Sequence, residues 1–177
     1  NKIKFSKIKT SFDEIGVNKN KLSNLILEKN VFWENLEIFF PKRWKKIENS
    51  LDKSVIINVE REKNLNLFFE FFEIKINKEN ENNNKIVTNF INEITKDVLV
   101  EEQSLVKADE NNYLFSFYSI ENNTDESVKN HIWYRMCIKS SYIKIVSFIF
   151  TYKIELKNIG ILYYHKINDL IKSAELN

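Results

Sequence analysis

In the segment YIKIVSFIFTYKIE (142–155), alternate residues fall into two apolar sets. Tyr142, Val146, Phe148 and Phe150 share one side, and Ile143, Ile145 and Ile149 the other. A β-strand sends successive side chains to opposite faces, so a strand built from this segment is apolar front and back. NYLFSFYSIEN (112–122) repeats the pattern, with Tyr113, Phe115 and Phe117 set against Leu114, Tyr118 and Ile120. Strands of this kind must be covered on both faces. Two amphipathic segments can supply the cover. KIVTNFINEIT (85–95) puts Ile86, Val87, Phe90, Ile91 and Ile94 on one helical face, and NIGILYYHKINDLIKSAEL (158–176) does so with Tyr163, Ile167, Leu170, Ile171 and Ala174. The expected fold is therefore α+β, an antiparallel β-sheet of about six or seven strands sandwiched between helices in an α/β/α arrangement.

The remaining elements follow from residue type. VFWENLEIFF (31–40), rich in aromatic and β-branched residues, predicts one strand that Pro41 ends. SVIINVERE (54–62) and LNLFFEFFEIKI (65–76) predict a hairpin turning at Lys63-Asn64. DVLVEEQSLVKA (97–108), 112–122, NHIWYRMCIKS (130–140) and 142–155 form four further strands, joined closely enough for an antiparallel meander. Upstream, residues 1–17 are expected to form an arm or short strand, and Leu22, Leu25 and Ile26 give 18–30 the spacing of a short helix. One domain is expected over 1–177, divided into that N-terminal part (1–30) and a sandwich core (31–176). With only two glycines and one proline, positive-φ turns are expected to fall to asparagine at 82–84, 111–112 and 122–123.

Composition narrows the function classes. The chain carries 27 Lys and Arg against 25 Asp and Glu, a net charge of +2. Nucleic-acid binding needs a concentrated positive surface, so no nucleic-acid partner is expected. Cys137 is the one cysteine, which leaves no internal disulfide and no multi-cysteine zinc site. No apolar run approaches the roughly 20 residues that cross a bilayer, so no transmembrane segment is expected. The sequence opens on Asn1; the expected compartment is the cytoplasm, or the periplasm or envelope if a signal peptide preceded Asn1.

An aromatic strand ending in FFP, with Trp44 three residues past the proline, precedes a hairpin, a helix, four antiparallel strands and a closing helix. This order, with the short IFFPKRW stretch (38–44), resembles the Mog1/PsbP/DcrB-like fold family over residues 31–176. The resemblance implies a binding role. The family includes photosystem accessory subunits, a nuclear-transport factor, envelope lipoproteins and chaperones for secreted toxins, and most members have no known catalysis. A shared fold does not choose among these.

Candidate sites are few. Lys42, Arg43, Lys45 and Lys46 surround Trp44, a combination that can join stacking to phosphate contacts. With Glu37 and Glu48 nearby, the cluster reads as a corner where Trp44 caps the sheet and the cations stay solvated. Phe32 and Trp33 point to opposite faces, which leaves Trp33 a candidate partner contact. In the strand at 130–140, His131, Trp133, Arg135, Cys137 and Lys139 share one face. A mid-strand arginine calls for a partner, and Glu70, between Phe68 and Phe72, is the candidate. Cys137 and His131 lie roughly 20 Å apart along an extended strand, far beyond the hydrogen-bond reach that a nucleophile and its base require. No carboxylate or histidine cluster has metal-ligand spacing, and no cofactor motif is present. The expected function is a non-enzymatic protein-binding domain, of the kind that immunity proteins and secretion chaperones provide. Trp133, Arg135, His131, Glu70 and Trp33 are its candidate contacts, and the loops at 77–84 and 121–129 carry acids that suit a basic partner. The alternative is an exported envelope protein or lipoprotein that binds a small ligand or stabilises a complex.

Overall fold

The computed structural model describes residues 25–77 and 81–177. The arm expected over 1–17, and the part of the expected 18–30 helix before residue 25, lie outside them. From Leu27 onward that segment is extended. β1 (Leu27–Phe32) pairs antiparallel with β2 (Leu36–Pro41), Leu27 opposite Pro41 and Phe32 opposite Leu36. The single strand expected over 31–40 is thus a hairpin. Its turn is Trp33-Glu34, with φ of 52° and 60°, closed by Asn35 N donating to Phe32 O at 3.1 Å. Nothing in the residue types announces this turn, because positive φ at both central positions ordinarily calls for Asn or Gly. Tertiary packing holds it: Trp33 stacks on Phe71 at 5.9 Å and meets Phe69 edge-on at 5.8 Å.

β3 (Lys45–Asn49), β4 (Ser54–Glu60) and β5 (Leu65–Lys75) form one antiparallel meander. α1 (Asn83–Thr95) then crosses to the far edge, its first turn capped by the Asn82 side chain accepting from Lys85 N at 2.9 Å. β6 (Glu101–Lys107), β7 (Asn112–Asn122), β8 (Ser127–Ile138) and β9 (Tyr142–Lys153) return as a second meander, and β9 closes on β5. The result is a seven-stranded sheet of order β3-β4-β5-β9-β8-β7-β6. A short 3-10 turn (Ile154–Leu156) leads into α2 (Lys157–Lys172), and β10 (Glu175–Leu176) completes a three-stranded sheet of order β1-β2-β10.

The two faces of the large sheet are covered differently. On one, α2 and the small sheet bury Leu67, Phe69, Phe71, Trp133, Cys137, Val146, Phe148 and Phe150. On the other, Ile86 and Val87 of α1 pack with Tyr113, Phe115, Phe117, Met136, Ile138, Ile143 and Ile145. The first face therefore carries a layer that the sequence reading lacked, a second sheet. Beyond residues 83–95, no helix among the described residues joins the cluster on the second face.

The asparagine runs do not make the positive-φ turns expected of them. Among the described residues, the non-glycine positive-φ positions are Trp33, Glu34, Lys53, Asn64 and Glu102. Asn82 is instead a helix cap, and Asn111 and Asn112 donate backbone N–H groups to Asp109 Oδ1 at 2.8 and 2.9 Å. The asparagine side chain does the capping at 82, whereas at 109–112 the turn is held by the carboxylate of Asp109; neither job needs positive φ.

Candidate interaction surface

His131, Trp133 and Arg135 do share one face of β8, the face beneath α2, and there they hold the helix. Trp133 is 1% exposed and its Nε1 donates to Asn168 Oδ1 at 2.9 Å. His131 is 5% exposed, with Nε2 3.1 Å from Tyr152 Oη and its ring stacked on Tyr164 at 4.0 Å. The Arg135 guanidinium donates to Ile171 O at 3.3 Å, a carbonyl at the end of α2 that also accepts from Ala174 N at 3.2 Å, so a cation sits at the negative end of the helix. Burial pulls the Arg135 pKa down, while Glu175 and Asp109 oppose the shift.

The expected Arg135–Glu70 pair is not formed. Arg135 stands opposite Val146, which stands opposite Phe71; Glu70 is in line with Ser147 and Tyr134. Residues opposite one another share a face, so Glu70 and Arg135 lie on opposite sides of the sheet. Trp33 belongs to the β1–β2 turn, and the five candidate residues do not converge. His131 and Trp133 do border one cavity of about 120 Å³, lined also by Tyr118, Lys129, Tyr164 and His165. Among the described residues, no group of histidine, cysteine and acidic side chains could hold a metal ion. At the 121–129 hairpin, Glu121 accepts from Asn130 and Glu126 pairs with Lys153, so two of its acids have partners inside the protein.

Burial pushes the His131 pKa down to about 3, and the charges of Lys129 and His165 add to the shift. The folded protein therefore keeps His131 neutral where the unfolded chain, with an ordinary histidine pKa of 6.5, binds a proton. Stability falls as pH drops from 6.5 towards 3, by up to about 1.4 kcal/mol per pH unit from this group. Urea midpoints at pH 7 and pH 4 for wild type and His131→Gln give the check. The wild type is expected to lose about 3 kcal/mol more than the variant on acidification. Equal losses would contradict a buried neutral histidine.

The second face holds a feature that no single segment displays. Ile47 stands opposite Ile56, Ile56 opposite Phe68, Phe68 opposite Ile149, Ile149 opposite Ile132, and Ile132 opposite Phe117. One apolar row thus crosses six strands. Phe117 lies within the cluster that α1 covers, whereas Ile56 is 43% and Ile47 55% exposed. A polar row borders it. Lys45, Asn58, Asn66, Thr151, Asn130 and Ser119 are likewise in register. Asn58 donates to Asn66 Oδ1 at 2.9 Å, and Thr151 donates to Asn130 Oδ1 at 2.6 Å. Glu70 lies on the other side of the apolar row, between Ser54 and Ser147.

At its β3–β4 end the row opens into a groove of about 550 Å³, lined by Ile47 and Ile56, Asn58 and Asn66, and the corner residues Arg43, Trp44 and Lys45. Trp44 is 3% exposed, packed near Phe40 at 6.1 Å and Tyr163 at 6.3 Å, as a capping tryptophan should be. The corner is also the wall of a groove, which the sequence reading missed.

This is a Mog1/PsbP-like fold. LpqN of Mycobacterium tuberculosis, described as involved in cell envelope biogenesis, superposes with a TM-score of 0.57 at 7% identity, over 89% of this chain and 95% of that one. The Ran-binding protein Mog1p of Saccharomyces cerevisiae gives 0.53 at 7% identity, over 86% and 96%. A point mutant of Mog1 gives 0.53 at 8% identity. No protein-family model and no curated sequence matches the chain. At such identities the likeness is one of fold. No helix among the described residues is long and apolar enough to cross a membrane.

Proposed function

We propose that the protein is a non-enzymatic protein-binding domain that docks its partner on the second face of the large sheet, over β3, β4, β5 and β9. The observation that carries this is the in-register apolar row, buried beneath α1 at Phe117 and exposed at Ile56 and Ile47. A contiguous apolar surface rimmed by hydrogen-bonded polar side chains has the anatomy of an interface core and its rim. The Ran-binding neighbour supports a protein partner for this fold, with the partner's identity left to this chain's own surface. Of the residues singled out from sequence, Glu70 belongs to the proposed site. Trp133, Arg135, His131 and Trp33 serve it indirectly, by fixing α2 and the small sheet to the opposite face. An immunity protein or a secretion chaperone, which neutralise or escort another protein, is the finer role we favour.

Ile56→Asp tests the reading. It places a charge in the row at an exposed position, so the fold is expected to survive while retention of the partner protein is lost. Retention unchanged in that variant would remove the proposal.

A further inference from the structure

The groove at the β3–β4 end is basic, and two of its cations are available. Lys45 and Arg61 are exposed, both line it, and neither forms an ion pair among the described residues. Glu60, the acid in the lining, already accepts a 2.6 Å hydrogen bond from Tyr163 Oη. Trp44 adds a second observation. Its indole N–H is buried with no acceptor among the described residues, although the ring lines the groove. Cations without anions call for a ligand that carries carboxylates, and a donor without an acceptor calls for an acceptor oxygen of either kind, carbonyl or carboxylate.

We propose that the groove receives an acidic stretch of the partner, a segment whose large apolar side chains lie on Ile56 and Phe68 and whose carboxylates meet Lys45 and Arg61. The inference rests on the second face being the docking surface, and it adds the partner's chemistry. An apolar row alone accepts any greasy segment; the cations at its end discriminate. They also argue against two other occupants. Residues 1–24 of this chain carry Lys2, Lys4, Lys7, Lys9, Lys19 and Lys21 against Asp13 and Glu14, and so bring positive charge to a positive groove. A second copy docking through the same groove would oppose Lys45 and Arg61 with themselves.

Two synthetic peptides test it, one alternating leucine with glutamate and the other identical but with lysine for every glutamate. Each is titrated into isotopically labelled protein and the backbone amide shifts are followed. The acidic peptide is expected to move the amides of residues 45–49, 54–58 and 64–68. It should bind about tenfold more tightly than the lysine peptide at low salt, a preference that Lys45→Glu combined with Arg61→Glu abolishes. Equal binding of both peptides at those residues would overturn the acidic specificity and leave the docking surface standing. If neither peptide moved those amides, the acidic-segment proposal would fall, whatever the capture result for Ile56→Asp. Shifts confined to the cavity beside His131 would overturn it as well.

Discussion

Phe69→Ala is expected to cost about 3–5 kcal/mol of folding stability. Phe69 is 0% exposed and sits where the large and small sheets meet. Its ring contacts Phe148 on the neighbouring strand β9 at 5.2 Å, and Phe32 and Phe40 of the small sheet at 5.1 and 5.9 Å. Alanine would remove the shared partner of all three and leave a cavity that the two sheets cannot close, because each is held in shape by its own hydrogen bonds. Total stabilities of single domains run to about 5–15 kcal/mol, so the variant should be close to unfolding at ambient temperature. Equilibrium urea denaturation measures it. A loss below about 1 kcal/mol would mean that the small sheet does not pack through Phe69.

The second large effect is expected at Gly160, where α2 passes over β9. A Cβ on Gly160 would lie 2.5 Å from Tyr152 Cγ and 2.6 and 2.7 Å from its two Cδ atoms, inside any real carbon–carbon contact. The ring cannot step aside easily. Tyr152 is 2% exposed, and its hydroxyl meets His131. Gly160→Ala therefore exchanges a helix-propensity gain of about 1 kcal/mol for an overpacking cost of about 1–3 kcal/mol or more, and the bulkier Gly160→Val should be worse. A net loss near 2 kcal/mol is expected for alanine. The diagnostic is non-additivity: in a Tyr152→Ala background the same change should cost little, since the atoms it strikes are gone. Equal costs in both backgrounds would place the close approach elsewhere.

Much of this fold is legible in the sequence where the pattern is local. The strand expected over 112–122 spans Asn112–Asn122, and the helix expected over 85–95 spans Asn83–Thr95. Both rest on periodicity that a short window contains. Two strand assignments failed for a shared reason. The Trp33-Glu34 turn has no turn residue at its two central positions, and β3 (KKIEN) begins with two lysines, so neither carried its usual signal. Lysine on β3 is intelligible in the structure, because β3 is an edge strand and charged side chains discourage edge-to-edge association.

The candidate surface was the least legible part, for a physical reason. Ile47, Ile56, Phe68, Ile149, Ile132 and Phe117 are scattered over more than half the chain, and only the register of five strand pairings aligns them. The same missing register misplaced Glu70 beside Arg135. A chain reveals which strands are apolar on both faces; which of those faces goes uncovered depends on where the helices land.

The claim that a partner docks on the open part of the second face is tested most directly by affinity capture with three baits: wild type, Ile56→Asp, and Leu105→Asp. Leu105 is 48% exposed on β6, at the opposite edge of the same sheet, so it controls for charge placed on any exposed apolar side chain. We expect one protein to be retained in stoichiometric amount by wild type and Leu105→Asp and lost from Ile56→Asp, with all three baits folded by circular dichroism. Loss from Leu105→Asp with retention by Ile56→Asp would contradict the account and move the interface to the other edge.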